Sequence, residues 1–148
     1  MSATNAFETS LLGLIFTNVA AANVGDAGGL QPSASAGVFY ISLHTADPGE
    51  TGDQGTSEAL YTNYARVSVA RSAAEWTVAG NVADNDNVIT FNDCLGGSES
   101  LSDFGIGSDA ALSAAGNLFI YGALTTPLAV SNGITPSFAA GALDVTLD

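Results

Sequence analysis

Lysine is missing from the 148-residue sequence altogether. Arg66 and Arg71 are its only strong cations beside 15 Asp and Glu, a formal net charge of −13. Phosphate contacts draw on Lys and Arg, so DNA packaging, RNA binding and attachment to anionic lipid are excluded as main activities. A lone Cys94 offers no intramolecular disulfide, and with one His it cannot complete a structural zinc set. The longest apolar run, Leu11-Leu12-Gly13-Leu14-Ile15-Phe16, falls far below the ~20 residues of a membrane-spanning helix. No basic residue precedes it, which argues against a secretory leader. Repeats of solenoid or propeller period are also missing.

What is present is apolar and small. Apolar residues make up 47% of the chain and charged ones only 11%, which argues for a packed core despite the large net charge. The length suits one β domain over residues 1–148. Its opening stretch, about 5–17, has helical spacing. Asn5 followed by Glu8 reads as a capping box, and Phe7, Leu11, Leu14 and Ile15 form one apolar stripe. That stripe either lids the domain's own core or docks on a neighbouring subunit, the former being the usual fate of a surface helix. A Gly-rich loop follows over 24–37, and the β domain is expected over 38–148.

After the loop the period changes to two. Phe39, Ile41 and Leu43 alternate with Tyr40, Ser42 and His44, the pattern of a half-buried strand. The turn-rich segment 47–55 should be exposed. Short strands are expected over 64–71, 75–78, 88–91, 101–106, 117–124, 128–130 and near the C-terminus, while Ala110–Ala115 reads as a loop with at most one or two helical turns. Many short strands between Gly-rich turns predict a mainly β fold, an antiparallel β-sandwich or jelly-roll-like barrel with one short N-terminal helix.

Chemistry has little to work with. His44 lies three residues before Asp47, but there is no G-x-S-x-G elbow, and a strand-end histidine facing solvent or capping the next turn is the better reading. Cys94 beside Asp93 reads as a small buried residue rather than a nucleophile, and Trp76 as a core or interface anchor. Asp47, Glu50, Asp53 and Glu58, and the run Asp84-Asn85-Asp86-Asn87, offer oxygen ligands for calcium. They lack EF-hand spacing and read first as solvated turn residues bonding their own backbone. No catalytic residue, metal or cofactor is assigned, and the chain is not expected to be an enzyme. Arg66 and Arg71, five apart on opposite faces of one strand, are read first as rim ion pairs on their own domain. In a homo-oligomer they are instead candidates for carboxylate contact across an interface.

Several segments then combine. FYISLHTADPGE (39–50), NYARVSVAR (63–71), VITF (88–91), FGI (104–106) and LFIYGALTTPLAVSNGITPSFAAGALDVTLD (118–148) follow the opening helix in this order. Together they resemble a family of small tailed-bacteriophage virion structural proteins, often labelled tail fibre proteins and including capsid decoration (cement) proteins. The resemblance spans nearly the whole chain. It implies a mostly β virion component with no catalytic residues. A compact chain without repeats and with an acidic exterior fits the outer surface of a capsid better than a long fibre shaft. The expectation is therefore a decoration protein, a homotrimer that bridges capsomers of the major capsid protein without touching nucleic acid or membrane. Candidate interface residues are Phe7, Leu11, Leu14, Ile15, Arg66, Arg71, Asp47 and Glu50, with loops 24–37 and 47–58. The alternatives are a tail fibre or minor tail component and, from another class, a carbohydrate-binding β-sandwich module.

Overall fold

The computed structural model describes residues 2–112 and 116–147. Among the described residues one helix, α1 (Asn5–Phe16), precedes nine strands: β1 (Val38–His44), β2 (Val67–Ala70), β3 (Trp76–Ala79), β4 (Val82–Asn85), β5 (Ile89–Thr90), β6 (Ser98–Gly107), β7 (Leu118–Ser131), β8 (Ser137–Phe138) and β9 (Asp144–Thr146). They form a four-stranded sheet in the order β2-β1-β6-β7, a three-stranded sheet β3-β4-β9 and the pair β5-β8. The registered pairs β1–β6, β6–β7, β3–β4 and β4–β9 are all antiparallel. The fold is mainly β with one short helix, as expected, and consistent with a β-sandwich.

The chain divides into two compact units, each assembled from separated segments. The first comprises Met1–Gly37, Ala70–Ile89 and Phe138–Asp148, the second Val38–Val69 and Thr90–Ser137. In the first unit α1 packs on β3 and β4. Leu12 and Phe16 are fully buried, and the Phe16 ring lies 4.7 Å from that of Trp76, whose Nε1–H donates to the Ala70 carbonyl at 3.0 Å. β3 and β4 are joined by a two-residue turn, Gly80-Asn81, with Gly80 at φ +63. A positive φ there matches the twist of a tight hairpin and favours glycine. Asn85, at the end of β4, is buried. Its amide donates to the carbonyls of Asn87 and Ala139, and its Oδ1 accepts from the backbone N–H of Ala142 and Leu143.

The helix differs from expectation in two respects. Thr4, not Asn5, is the N-cap, and it makes no side-chain capping bond, so no capping box forms. The buried residues are Glu8, Leu12 and Phe16, a stripe spaced by four and rotated from the expected one, because Phe16 is what reaches Trp76. Phe7 is left 44% exposed, with Leu11, Leu14 and Ile15 half-buried.

The second unit is built on β1 and β6. Val, Phe, Tyr and Ile make β1 a strong strand former, and from Ile41 to His44 it is buried on both faces rather than one. Ser42 and His44, expected to face solvent, are fully buried. Residues expected as two strands, 117–124 and 128–130, form the single strand β7. Its register against β6 slips between Leu101↔Leu128 and Asp103↔Ala123, so the four residues Leu124–Pro127 oppose Ser102 alone. Pro127 has no N–H to give a ladder, and an outward bulge accommodates it. Tyr61, Tyr64, Phe91 and Cys94 are buried in the same unit, Cys94 in the role expected of it. The expectation for Ala110–Ala115 falls partly outside the described residues.

Candidate interaction surface

The two arginines are the clearest test of the expected interface, and both are taken up inside their own unit. Arg66 meets Glu58 in a two-pronged pair, Nε–Oε1 2.6 Å and Nη2–Oε2 2.8 Å, with the two side chains 0% and 1% exposed. Its Nη1 donates to the Asp109 carbonyl at 2.9 Å, and the Tyr64 hydroxyl donates to Glu58 Oε1 at 3.2 Å. This is a core ion pair and not the rim pair expected. Such a pair holds only with its remaining hydrogen bonds made, as they are here. Burial alone works against the Arg66 charge, but the bonded Glu58 carboxylate outweighs it and the guanidinium pKa is raised. Burial pushes the Tyr64 phenol well above its ordinary value and the Tyr61 phenol up to about 12.

Arg71 has a different task. Its Nε and Nη2 donate to the carbonyls of Ile15 and Leu14 at 2.7 and 2.8 Å, and Nη1 to that of Ala36 at 2.9 Å. The last carbonyls of a helix have no partner within it and carry the negative end of its dipole. A forked cation from the strand end therefore closes α1 and anchors the loop that follows, where Asn18, at φ 56, turns the chain away. Among the candidate residues, Arg71 is thus brought to Leu14 and Ile15. Phe7 and Leu11 lie on the same helix. Arg66, Asp47 and Glu50 belong to the other unit.

In that unit, loop 45–58 is more deeply set than its turn-rich sequence suggests. Asp47, Glu50 and Thr51 are exposed, but Pro48 and Gln54 are buried. Gln54 donates to the Tyr40 carbonyl at 3.1 Å and accepts from the Asp109 N–H at 2.8 Å. A Cβ at Gly107 would lie 2.1 Å from Gln54 Cδ, so the bare backbone there is what admits the amide. Asp47 accepts the Gly49 N–H and Asp53 the Gly55 N–H, the local backbone bonding expected of turn carboxylates. His44 lies between Ser42 (Nε2 to Oγ, 2.9 Å) and the Thr56 carbonyl (Nδ1 to O, 2.8 Å). A carbonyl only accepts, so Nδ1 carries the proton and Nε2 accepts from the serine hydroxyl. Burial holds the imidazole below its ordinary pKa of 6.5. Both side chains are fully buried, which leaves this Ser–His pair a structural bond.

The exposed surface carries a feature that residue-by-residue reading passed over. Residues 110–143 contain no charged side chain, 34 in succession within an otherwise acidic chain. They include β7, whose apolar residues Phe119 and Leu128 are exposed. A count of charge along the chain is the signal that finds it.

Compared with known proteins, residues 2–146 match the family model described as Podophage GP4 fiber I protein gp80. No curated protein matches the chain.

Proposed function

The chain belongs to the family of Podophage GP4 fiber I protein gp80, which makes it a phage virion structural protein, and from that premise we propose that it decorates the outer surface of the capsid. In this role copies bridge neighbouring units of the major capsid protein, self-associated as a homotrimer, and bind neither nucleic acid nor membrane. The observation that carries the reading is the fate of the two cations. With Arg66 paired to Glu58 and Arg71 bonded to carbonyls, the outside is left to carboxylates and to neutral residues, among them exposed apolar side chains such as Phe7, Leu60 and Phe119. An acidic exterior keeps free copies soluble and apart and is repelled by DNA. Attachment then rests on apolar and backbone contacts, at roughly 25 cal/mol per Å² of apolar surface buried. Summed over the many equivalent sites of a shell, modest contacts reinforce it against internal pressure.

A second reading, a fibre component at the tail, is favoured by the word "fiber" in the family description. Quantitative protein analysis of purified virions separates the two. Decoration gives a copy number on the scale of the major capsid protein, and heads lacking the protein lose heat and osmotic resistance. A handful of copies confined to the tail overturns decoration in favour of the fibre. Neither reading makes the protein an enzyme. A glycan array binding the chain specifically would instead support a carbohydrate-binding module.

A further inference from the structure

One turn within the uncharged stretch carries a reaction that the fold has to hold back. Asn132 is the only asparagine of the chain that glycine follows; the others precede larger residues. Glycine has no side chain to shield its nitrogen, so an Asn–Gly pair readily loses the asparagine amide. Once the Gly133 nitrogen gives its proton to solvent base, it bonds to Asn132 Cγ. The Cγ–Nδ2 bond breaks and Nδ2 leaves as ammonia. Water then opens the five-membered imide at either carbonyl, giving aspartate or isoaspartate, the latter with one more carbon in the backbone.

Asn132 and Gly133 are both exposed, yet the turn is built against this reaction. The Ile134 N–H donates to the Ser131 carbonyl at 3.0 Å, and of the two central residues only Gly133 has a positive φ, +88, which is the pattern of a type II turn. Ring closure needs the Gly133 nitrogen to eclipse Asn132 Cβ, and the type II backbone holds it roughly 120° away from that position. The nitrogen is also engaged. Its N–H donates to the Cys94 carbonyl at 2.8 Å, and the Cys94 N–H donates to the Ile134 carbonyl, also at 2.8 Å. Cys94 is fully buried, so this pair of bonds ties the turn to the core of its own unit.

We propose that Asn132–Gly133 is a spontaneous deamidation site that the fold keeps closed, so that modification accumulates in proportion to the time the turn at the end of β7 spends open. The inference concerns the chain itself and stands whether copies sit on the capsid or at the tail. Either product places a carboxylate among residues 110–143, which carry no charge. The extra backbone carbon of isoaspartate also shifts the turn out of register with Cys94, so a turn that has reacted does not close as before.

Peptide mass mapping of the full chain, incubated at pH 8 with and without urea above the unfolding midpoint, tests the proposal. In urea Asn132 is expected to gain the mass of an amide-to-acid change, with isoaspartate among the products. Without urea the same change is expected about thirtyfold slower or more, because a turn bonded to a buried residue opens rarely. At intermediate urea its rate should follow hydrogen exchange of the Gly133 amide, which needs the same bond to Cys94 broken. Asn132→Gln, a change at an exposed position, abolishes the mass gain there, and unaltered Trp76 emission identifies the folded variant. An unfolded chain that retains Asn132 while other asparagines convert overturns the site. A folded chain that converts less than about tenfold more slowly than the unfolded one overturns the closure.

Discussion

Replacing Arg71 by Met isolates the contribution of one side chain to the closing of α1. The methionine keeps much of the aliphatic stem but removes the hydrogen bonds to the carbonyls of Leu14, Ile15 and Ala36 at 2.7–2.9 Å. Hydrogen bonds to a charged donor contribute about 1.5–3 kcal/mol each in net terms, and less than their sum when they share one group. Arg71 is half-buried, so water replaces part of what is lost. A cation at a helix C-terminus adds about 0.3–1 kcal/mol. The expected loss is therefore about 3 kcal/mol, with Arg71→Lys losing about 1 kcal/mol less because it restores the charge but not the fork. Urea unfolding followed by Trp76 emission reports on it directly, since Trp76 packs on Phe16 at the end of the same helix. A ΔCm of about 1–2 M is expected. The loss should not vary with protein concentration, because the bonds lie within one chain. A loss under about 1 kcal/mol, or one that shrinks on dilution as an intermolecular contact would, refutes the capping role.

Glu58→Gln should lower stability by about 3–5 kcal/mol by leaving Arg66 charged and without its partner carboxylate, whereas the double variant Glu58→Leu with Arg66→Met recovers most of it; a double-mutant cycle in urea followed by circular dichroism measures the coupling. His44 is kept below its ordinary pKa of 6.5 by burial, so the unfolded chain takes up its proton first. Its contribution to stability is complete above about pH 6.5 and is lost as pH falls from there toward the lowered folded-state value. Thermal unfolding between pH 7.5 and 5 should show the decline, and His44→Gln should flatten it. Asp84 and Asp144 are direct cross-strand partners, and burial together with the Asp144 carboxylate and Asp86 raises the Asp84 pKa. The sign is opposite to that of His44: the destabilisation is full above the raised value and is relieved as pH falls through it. Asp84→Asn should therefore stabilise at pH 7 by about 0.5 kcal/mol, a gain that disappears in acid.

Legibility of the sequence differed by kind of information. Alternation in 38–44 identified a strand, and helical spacing in 5–17 identified a helix, because both periods are local properties of the chain. The faces were not legible in the same way. In α1 the apolar residues surround more than half the helix, and only the position of Trp76 selects Leu12 and Phe16 over Phe7 and Leu11 for burial. In β1 the polar alternates Ser42 and His44 bond each other and the Thr56 carbonyl, satisfying groups that would otherwise need water.

The candidate site followed the same division. That two arginines among 15 acids would be engaged was readable from their scarcity. Their partners were not. Glu58 is eight residues from Arg66, across a loop and a bridge to β1, and Leu14 and Ile15 are more than 55 residues from Arg71.

By itself the sequence determined the class: a mainly β chain with a short helix, a large acid excess, and an uncharged stretch between Asp109 and Asp144. These depend on composition and on spacings shorter than a single element. Tertiary structure decided where the charge goes. It buried Arg66 against Glu58, set Arg71 at the end of α1 and made Leu118–Ser131, within the uncharged stretch, the last strand of its sheet among the described residues. Strand order and long-range pairing arise from which apolar faces meet, and that is a property of the packed chain as a whole.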